Sequence, residues 1–319
     1  MANAADARSP NGSSWPSRGA RLLAWLRSDR VYEALNGYLF ITPVVLGFLV
    51  FFLGPTIAAI GLSFTDYEPL SEVSFIGVDN YVRMLSDVRL HTVYVNSFVY
   101  MVAAVVLMNG IALGLAYFLN KRLPRVLRYV LRSAYFFPSM VALVYVAIIW
   151  QFLLTKDGGV VNYYLSLVGL GPIDWLGSGI GAVTSVIIVD VWRNTGLALI
   201  IFLAALQDVP DEVTEAARID GASEWRTFRT IVIPLISPAI FLNATLTIIG
   251  SLQIFESILI LTRGGPGDSS RSVVFYVYEK GFQSFEMGYA SAISITLFGV
   301  IIVLTLLMFR ARRRWVHEG

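Results

Sequence analysis

The chain reads as six long apolar runs separated by short polar stretches, at residues 38–63, 94–119, 133–154, 180–206, 231–261 and 289–309. Each run is long enough, as a helix rising about 1.5 Å per residue, to cross a hydrocarbon core about 30 Å thick. The apolar positions are continuous and do not alternate, which excludes the period-two pattern of barrel strands. Lipid also demands that each backbone N–H and C=O be bonded within its own segment, as a helix does. The pattern predicts an all-α polytopic membrane protein with six transmembrane helices. The first run is too long for a signal-peptide core of about 7–15 residues and follows the polar, Arg-bearing stretch 1–37, so it is expected to be retained.

Composition supports this. Hydrophobic residues make up 56% and charged residues 14% of the 319, more apolar side chains than one soluble core could bury. Cysteine is absent, which excludes disulfides and thiolate chemistry.

Orientation follows from Lys and Arg in the connecting segments. One face collects Arg8, Arg18, Arg21, Arg27 and Arg30, then Lys121, Arg122, Arg125, Arg128 and Arg132, then Arg218, Arg226 and Arg229, and finally Arg310, Arg312, Arg313 and Arg314. The other has Arg83, Arg89, Lys156, Arg263, Arg271 and Lys280. Both termini are therefore expected in the cytoplasm. The 4–5 loop also carries acids, and its placement rests on alternation.

Three divisions are expected: a basic N-terminal tail over 1–37, a six-helix membrane domain over 38–309, and a basic tail over 310–319. Residues 1–20 have too few large apolar groups to offset ordering entropy and read as flexible. Residues 21–36 suit a short helix on the anionic inner leaflet, or equally an extension of the first span.

The 4–5 loop, residues 208–234, reads DVPDEVTEAARIDGASEWRTFRTIVIP and predicts a helical hairpin. Pro210 and Asp211 suit a helix start, with Asp211 and Glu212 at the positive end of its dipole. Gly221 supplies the left-handed residue that ends a helix. Ser223 can cap a second helix beginning at Glu224, with Trp225, Phe228 and Ile231 on one side, before Pro234 and Pro238 open span five. A helix exposing Glu215, Ala216 and Ala217, followed by a tight Asp220-Gly221-Ala222 turn, can approach another protein closely.

Glu215-Ala216-Ala217, Asp220-Gly221-Ala222, Phe228, Ile231 and Pro234 resemble, residue for residue, the EAA loop of permease subunits in bacterial ABC importers. In that family the loop is a coupling helix seated in the cytoplasmic ATPase. Phe75-Ile76-Gly77-Val78-Asp79-Asn80-Tyr81 and Leu261-Thr262-Arg263-Gly264-Gly265-Pro266-Gly267, with Tyr278 and Gly288-Tyr289-Ala290, are similar to the carbohydrate-uptake branch. The resemblance runs from about residue 38 to 309. It implies the type I importer permease architecture in the bacterial inner membrane. The implied partners are a second homologous permease, an ATPase pair holding ATP and Mg²⁺, and an extracytoplasmic solute-binding protein. The implied solute is carbohydrate, with glycerol-phosphate compounds as the alternative.

No phosphate-cradling G-x-x-x-x-G-K-[ST] occurs, so no cofactor is expected in this chain and ATP hydrolysis falls to a partner. His91 and His317 have no second His or Cys for a transition-metal site, so no metal is expected. The basic tail Arg310–Arg314 directly follows a span and reads as a membrane-surface stop, not a nucleic-acid patch.

Within the spans, Asp190 and Arg193 lie about ten residues, ~15 Å, inside span four. Charges at that depth tend to face a water-filled pathway. With Asn194, and with Thr247 and Ser251 one turn apart in span five, they form a candidate solute path. Glu256 belongs nearer the outer end of span five, as a gate or binding-protein contact. The rival reading is a structural Asp190–Arg193 ion pair, with the hydroxyls bonded back to their own helix. A different class, an ion-coupled secondary carrier using Asp190 and Arg193 as a proton relay, lacks the expected inverted repeat and leaves the 4–5 loop unexplained.

Overall fold

The computed structural model describes residues 29–69, 71–121 and 124–315. The expected flexible stretch 1–20, residues 21–28, Arg122 and His317 lie outside them. Helices dominate, and among the described residues the strand-like pairing is an isolated antiparallel bridge between Thr65 and Phe75. The chain divides into two compact units at Ala58 and Ala59.

The first unit is built on α1, Asp29–Phe48, followed by a π-helical turn over Leu49–Leu53. The helix is already formed at residues 29–36 and continues unbroken into the apolar stretch. Asn36–Leu62 is apolar enough to cross a membrane, and side chains such as Phe40, Phe51 and Ile57 are exposed.

The second unit begins within α2, Gly54–Leu62. The short α3, Asp79–Ser86, leads to α4, Val88–Ala103, which passes through a π-helical turn into α5, Asn109–Asn120. Then come α6, Arg125–Met140; α7, Leu143–Leu153; α8, Val160–Leu167; and the long α9, Gly179–Gln207. The 4–5 loop forms α10, Asp211–Ile219, and α11, Glu224–Thr227, which runs on through another π-helical turn to α12, Ile233–Leu235. After α13, Ser237–Leu252, come α14, Glu256–Leu261; α15, Val273–Tyr278; and α16, Met287–Trp315.

Four apolar stretches form unbroken candidate spans: Asn36–Leu62, Val88–Asn120, Gly179–Gln207 and Met287–Arg312. The third and fifth expected spans are instead bent pairs. Val126–Met140 turns by 101° into Leu143–Leu153, and Glu224–Leu235 turns by 71° into Ser237–Leu252. Pro238 explains the second bend: it has no N–H for the Pro234 carbonyl, and its ring would clash with that carbonyl in a continuous helix. In the third run Pro138 weakens the last turn of α6, and the helix breaks after it at Val141 and Ala142. The run 231–261 breaks again at Gln253–Phe255, where no proline stands. There the Ser272 hydroxyl, from a distant loop, donates to the Ile254 carbonyl at 2.6 Å, supplying the bond that a continuing helix would have made.

Three apolar clusters hold the second unit together. On the side of the 4–5 loop, Ala112, Ala116 and Leu119 of α5 meet Ala198, Leu199, Phe202 and Leu206 of α9, with Phe228 and Val232 closing the end. Alanines one turn apart let two membrane helices approach closely, where packing has to substitute for the hydrophobic effect. A middle cluster joins Tyr100, Val146, Val186, Val189, Ile258 and Phe275. At the opposite end Met84, Leu90, Val93, Tyr276, Tyr289 and Ile293 gather α3, α4, α15 and α16.

Candidate functional site

The 4–5 loop folds as the expected hairpin. Asp211 and Glu212 open α10, and Gly221 takes φ +79° after it, a conformation costing an L residue about 1–2 kcal/mol. The Ser223 hydroxyl accepts the Arg226 N–H at 3.3 Å and caps α11. Glu215, Ala216, Asp220 and Gly221 are exposed, and Ala222 is half-buried. A Cβ on Gly221 would meet nothing within 4 Å. Ala217 departs from the expected exposed surface: it is buried, on the side of α10 against which the chain folds back, its carbonyl accepting the Ala222 N–H at 3.0 Å. Trp225 is exposed while Phe228 is buried, their rings 5.8 Å apart. Phe228 also packs on Tyr117 at 4.5 Å, so the base of the hairpin is wedged between α5 and α9.

A cavity of about 690 Å³ opens under α10, lined by Tyr117, Lys121, Thr214, Glu215, Arg218 and Glu224 among others. Across its rim Lys121 and Glu224 pair at 3.0 Å. That hydrogen bond raises the Lys121 ammonium above its ordinary value. Both are exposed, so the pair orients the hairpin more than it stabilises it.

Span-four polar residues form a relay. The Asn194 amide donates to Asp190 at 3.0 Å and accepts from Arg193 Nη1 at 3.2 Å. Arg193 Nε and Nη2 reach the Val141 carbonyl at 3.4 and 3.3 Å. Among the described residues no direct Asp190–Arg193 ion pair forms; Asn194 stands between them. Thr247 and Ser251 are buried and donate back to Asn243 and Ile248 carbonyls at 2.7 and 3.2 Å. Thr247 also accepts the Asn109 amide at 3.2 Å, and Asn243 donates to the Ala198 carbonyl at 3.2 Å. These groups stitch α5, α9 and α13 together, and no hydrogen bond links them to Asp190, Arg193 or Asn194. Glu256 does not continue span five; it opens the separate α14 and is exposed, as is Gln253.

Two features have no counterpart in the sequence reading. Trp192, exposed on the side of α9 away from Asp190 and Asn194, meets Trp150 of α7 edge-on at 5.6 Å; a tryptophan between Asp190 and Arg193 was the available signal. The second is a charged network at the end of the unit away from the hairpin. Arg89 pairs with Asp268 at 2.9 Å, Arg271 pairs with Asp268 and with Glu279, and Glu286 pairs with Arg83 and with Lys280. Asp87 accepts the hydroxyls of Tyr276 and Tyr289 at 2.8 and 2.7 Å.

Burial pushes the Asp87 carboxyl up, but the Tyr289 hydroxyl, the Leu90 N–H and the Tyr276 hydroxyl outweigh it and leave it below its ordinary 3.8. Asp268 is lowered chiefly by the Arg89 hydrogen bond. Glu286 is raised by burial but lowered more by Lys280 and Arg83, ending below its ordinary 4.5. Carboxyls depressed in the folded state contribute stability that is complete above about pH 5 and is lost as pH falls below about 4. Thermal melting of the detergent-solubilised protein should therefore hold steady from neutral pH down to about 5, then fall. Replacing Asp87 by Asn should lower the neutral-pH melting point and flatten that acid limb; an unchanged limb would remove Asp87 from the account.

Several helices long and apolar enough to cross a membrane define a multi-pass membrane protein. Residues 108–317 match the family described as binding-protein-dependent transport system inner membrane component, and the chain belongs to that family. It is 34% identical over 284 residues to the arabinooligosaccharides transport system permease protein AraP of Bacillus subtilis, covering 88% of this chain and 90% of that one. It is equally 34% identical over 287 residues to the trehalose/maltose transport system permease protein MalF of Thermococcus litoralis, covering 88% and 95%. The fold is shared with a chain of the bacterial alginate ABC transporter in complex with alginate pentasaccharide-bound periplasmic protein, at TM-score 0.80 and 24% identity, covering 94% and 99%.

Proposed function

We propose that this transport subunit forms half of the pathway of an ATP-driven sugar importer and takes its drive from a separate ATPase through α10. The observation carrying this is the exposed hairpin itself: a small-residue helix and a left-handed Gly221 turn, wedged at its base by Phe228 and Tyr117. Carbohydrate is the solute class, since the relatives carry arabino-oligosaccharides and trehalose or maltose.

In this reading each bent pair is one span, giving six, with both termini and the hairpin cytoplasmic. A second, homologous permease completes the pathway. ATP and Mg²⁺ bind between two ATPase copies, whose closure draws the two coupling helices together and opens the spans outward. Solute released by the extracytoplasmic binding protein then enters, and hydrolysis resets the inward-facing state. Asp190 and Asn194, one turn apart on a half-buried face of α9, offer hydrogen-bonding surface to a polyol. The subunit performs no chemistry on the solute.

Uptake by cells expressing the complete system tests this. Sugar accumulation should persist when an uncoupler collapses the proton gradient with ATP held constant. Accumulation that collapses with the gradient would instead make the chain an ion-coupled carrier. A screen of the binding protein against oligosaccharides and glycerol-phosphate compounds identifies the solute.

A further inference from the structure

The 101° bend of the third span leaves the Val141 carbonyl without a backbone donor: the Tyr145 N–H, which a continuous helix would direct to it, bonds Ala142 instead, at 3.1 Å. An unpaired carbonyl in a water-poor membrane interior is costly. Among the described residues its donors are Arg193 Nε and Nη2, from α9. One turn further along α9, Gly196 presses on the backbone of α6, where an added Cβ would stand 2.2 Å from the Tyr135 carbonyl oxygen. The second limb, α7, belongs with α14, to which Gln151 donates at the Ile260 carbonyl at 3.2 Å. The joint at Val141 and Ala142 thus links a limb seated on α9 to a limb seated on α14, and Arg193 bonds the joint itself. Its charge is balanced through Asn194 by Asp190, and three of its five N–H donors are committed.

We propose that Arg193 is a positioning residue that holds the bend of the third span, acting on transport through the Val141 carbonyl and not by touching solute. The transport consequence rests on the importer reading; the geometric one stands without it. A guanidinium offers two donors to one carbonyl, an ammonium one, so lysine should serve in part and alanine not at all.

The test uses the complete complex in proteoliposomes, with partner subunits free of cysteine and spin labels on Phe137→Cys and Phe152→Cys, exposed positions on the two limbs; this chain has no other cysteine. Arg193→Ala should broaden the inter-label distance distribution. It should also lower the maximal uptake rate about tenfold, leaving the half-saturating solute concentration within about twofold, because the orphaned carbonyl affects the limb and not the ligand. Arg193→Lys should recover a narrow distribution and much of the rate. A raised half-saturation with an unchanged maximal rate and a narrow distribution would overturn the proposal and make Arg193 a solute contact. If Arg193→Ala does not assemble, Arg193→Gln, which keeps an N–H for Val141, should stay narrow, and a broad distribution there would also overturn it. A wild-type complex that transports nothing defeats the importer reading, and the distance distributions then decide the brace alone.

Discussion

With tryptophan in place of Ala216, sugar uptake should fall at least about tenfold, a change that about 1.4 kcal/mol of lost docking free energy already supplies. The chain itself should fold, insert and melt as before. Ala216 is exposed on α10, and its carbonyl accepts the Asp220 N–H at 3.0 Å. A bulky ring there costs the isolated subunit nothing but holds any docked protein away from the helix backbone. ATP hydrolysis by the assembled complex should lose its stimulation by loaded binding protein in parallel with uptake. Trp-substituted protein that transports normally would remove this face of α10 from the coupling path.

The second large effect is expected at Gly196, and it has the opposite sign from a chemically identical change elsewhere. A glycine in a helix interior is normally worse than alanine by about 0.5–1 kcal/mol. At Gly114 of α5 a Cβ would meet nothing within 4 Å, so Gly114→Ala should raise the melting temperature slightly. At Gly196 the same Cβ would lie 2.2 Å from the Tyr135 carbonyl oxygen and 2.9 Å from the Phe136 Cα. Both are backbone atoms, so the whole α6 limb has to move, at a cost of about 1–3 kcal/mol or more. For a unit of this size the melting temperature should drop by several degrees, at about 2–4 °C per kcal/mol. Two alanine substitutions with shifts of the same sign would contradict the close α6–α9 contact.

What was legible in the sequence follows from the range of the interactions involved. The 4–5 hairpin is written locally: Pro210, Asp211, Gly221 and Ser223 each act within a few residues, and α10 and α11 begin where those residues place them. The spans were legible as apolar runs but their breaks were not. Pro138 and Pro238 mark where a helix weakens, yet the bend at Val141 is held by Arg193, 52 residues away, and the break near Ile254 by Ser272, 18 residues away. The i, i+4 pair Thr247 and Ser251 reads the same whether it faces a pathway or a neighbouring helix, and only the Asn109 amide against Thr247 distinguishes the two. The charged network away from the hairpin joins charges visible in the loops, but Arg89 to Asp268 spans 179 residues and Tyr289 to Asp87 spans 202. Local pattern carries no information at those separations.

The central claim, that α10 is the surface through which an ATPase drives this subunit, is tested most directly by a photo-crosslinking amino acid at position 216 in intact cells, with one at the exposed, span-embedded Phe137 as control. The account predicts that position 216 captures a single protein, identified by mass spectrometry as carrying a nucleotide-binding P-loop, and that position 137 does not capture it. Repeated capture at position 216 of lipid alone, or of proteins lacking a P-loop, would contradict it.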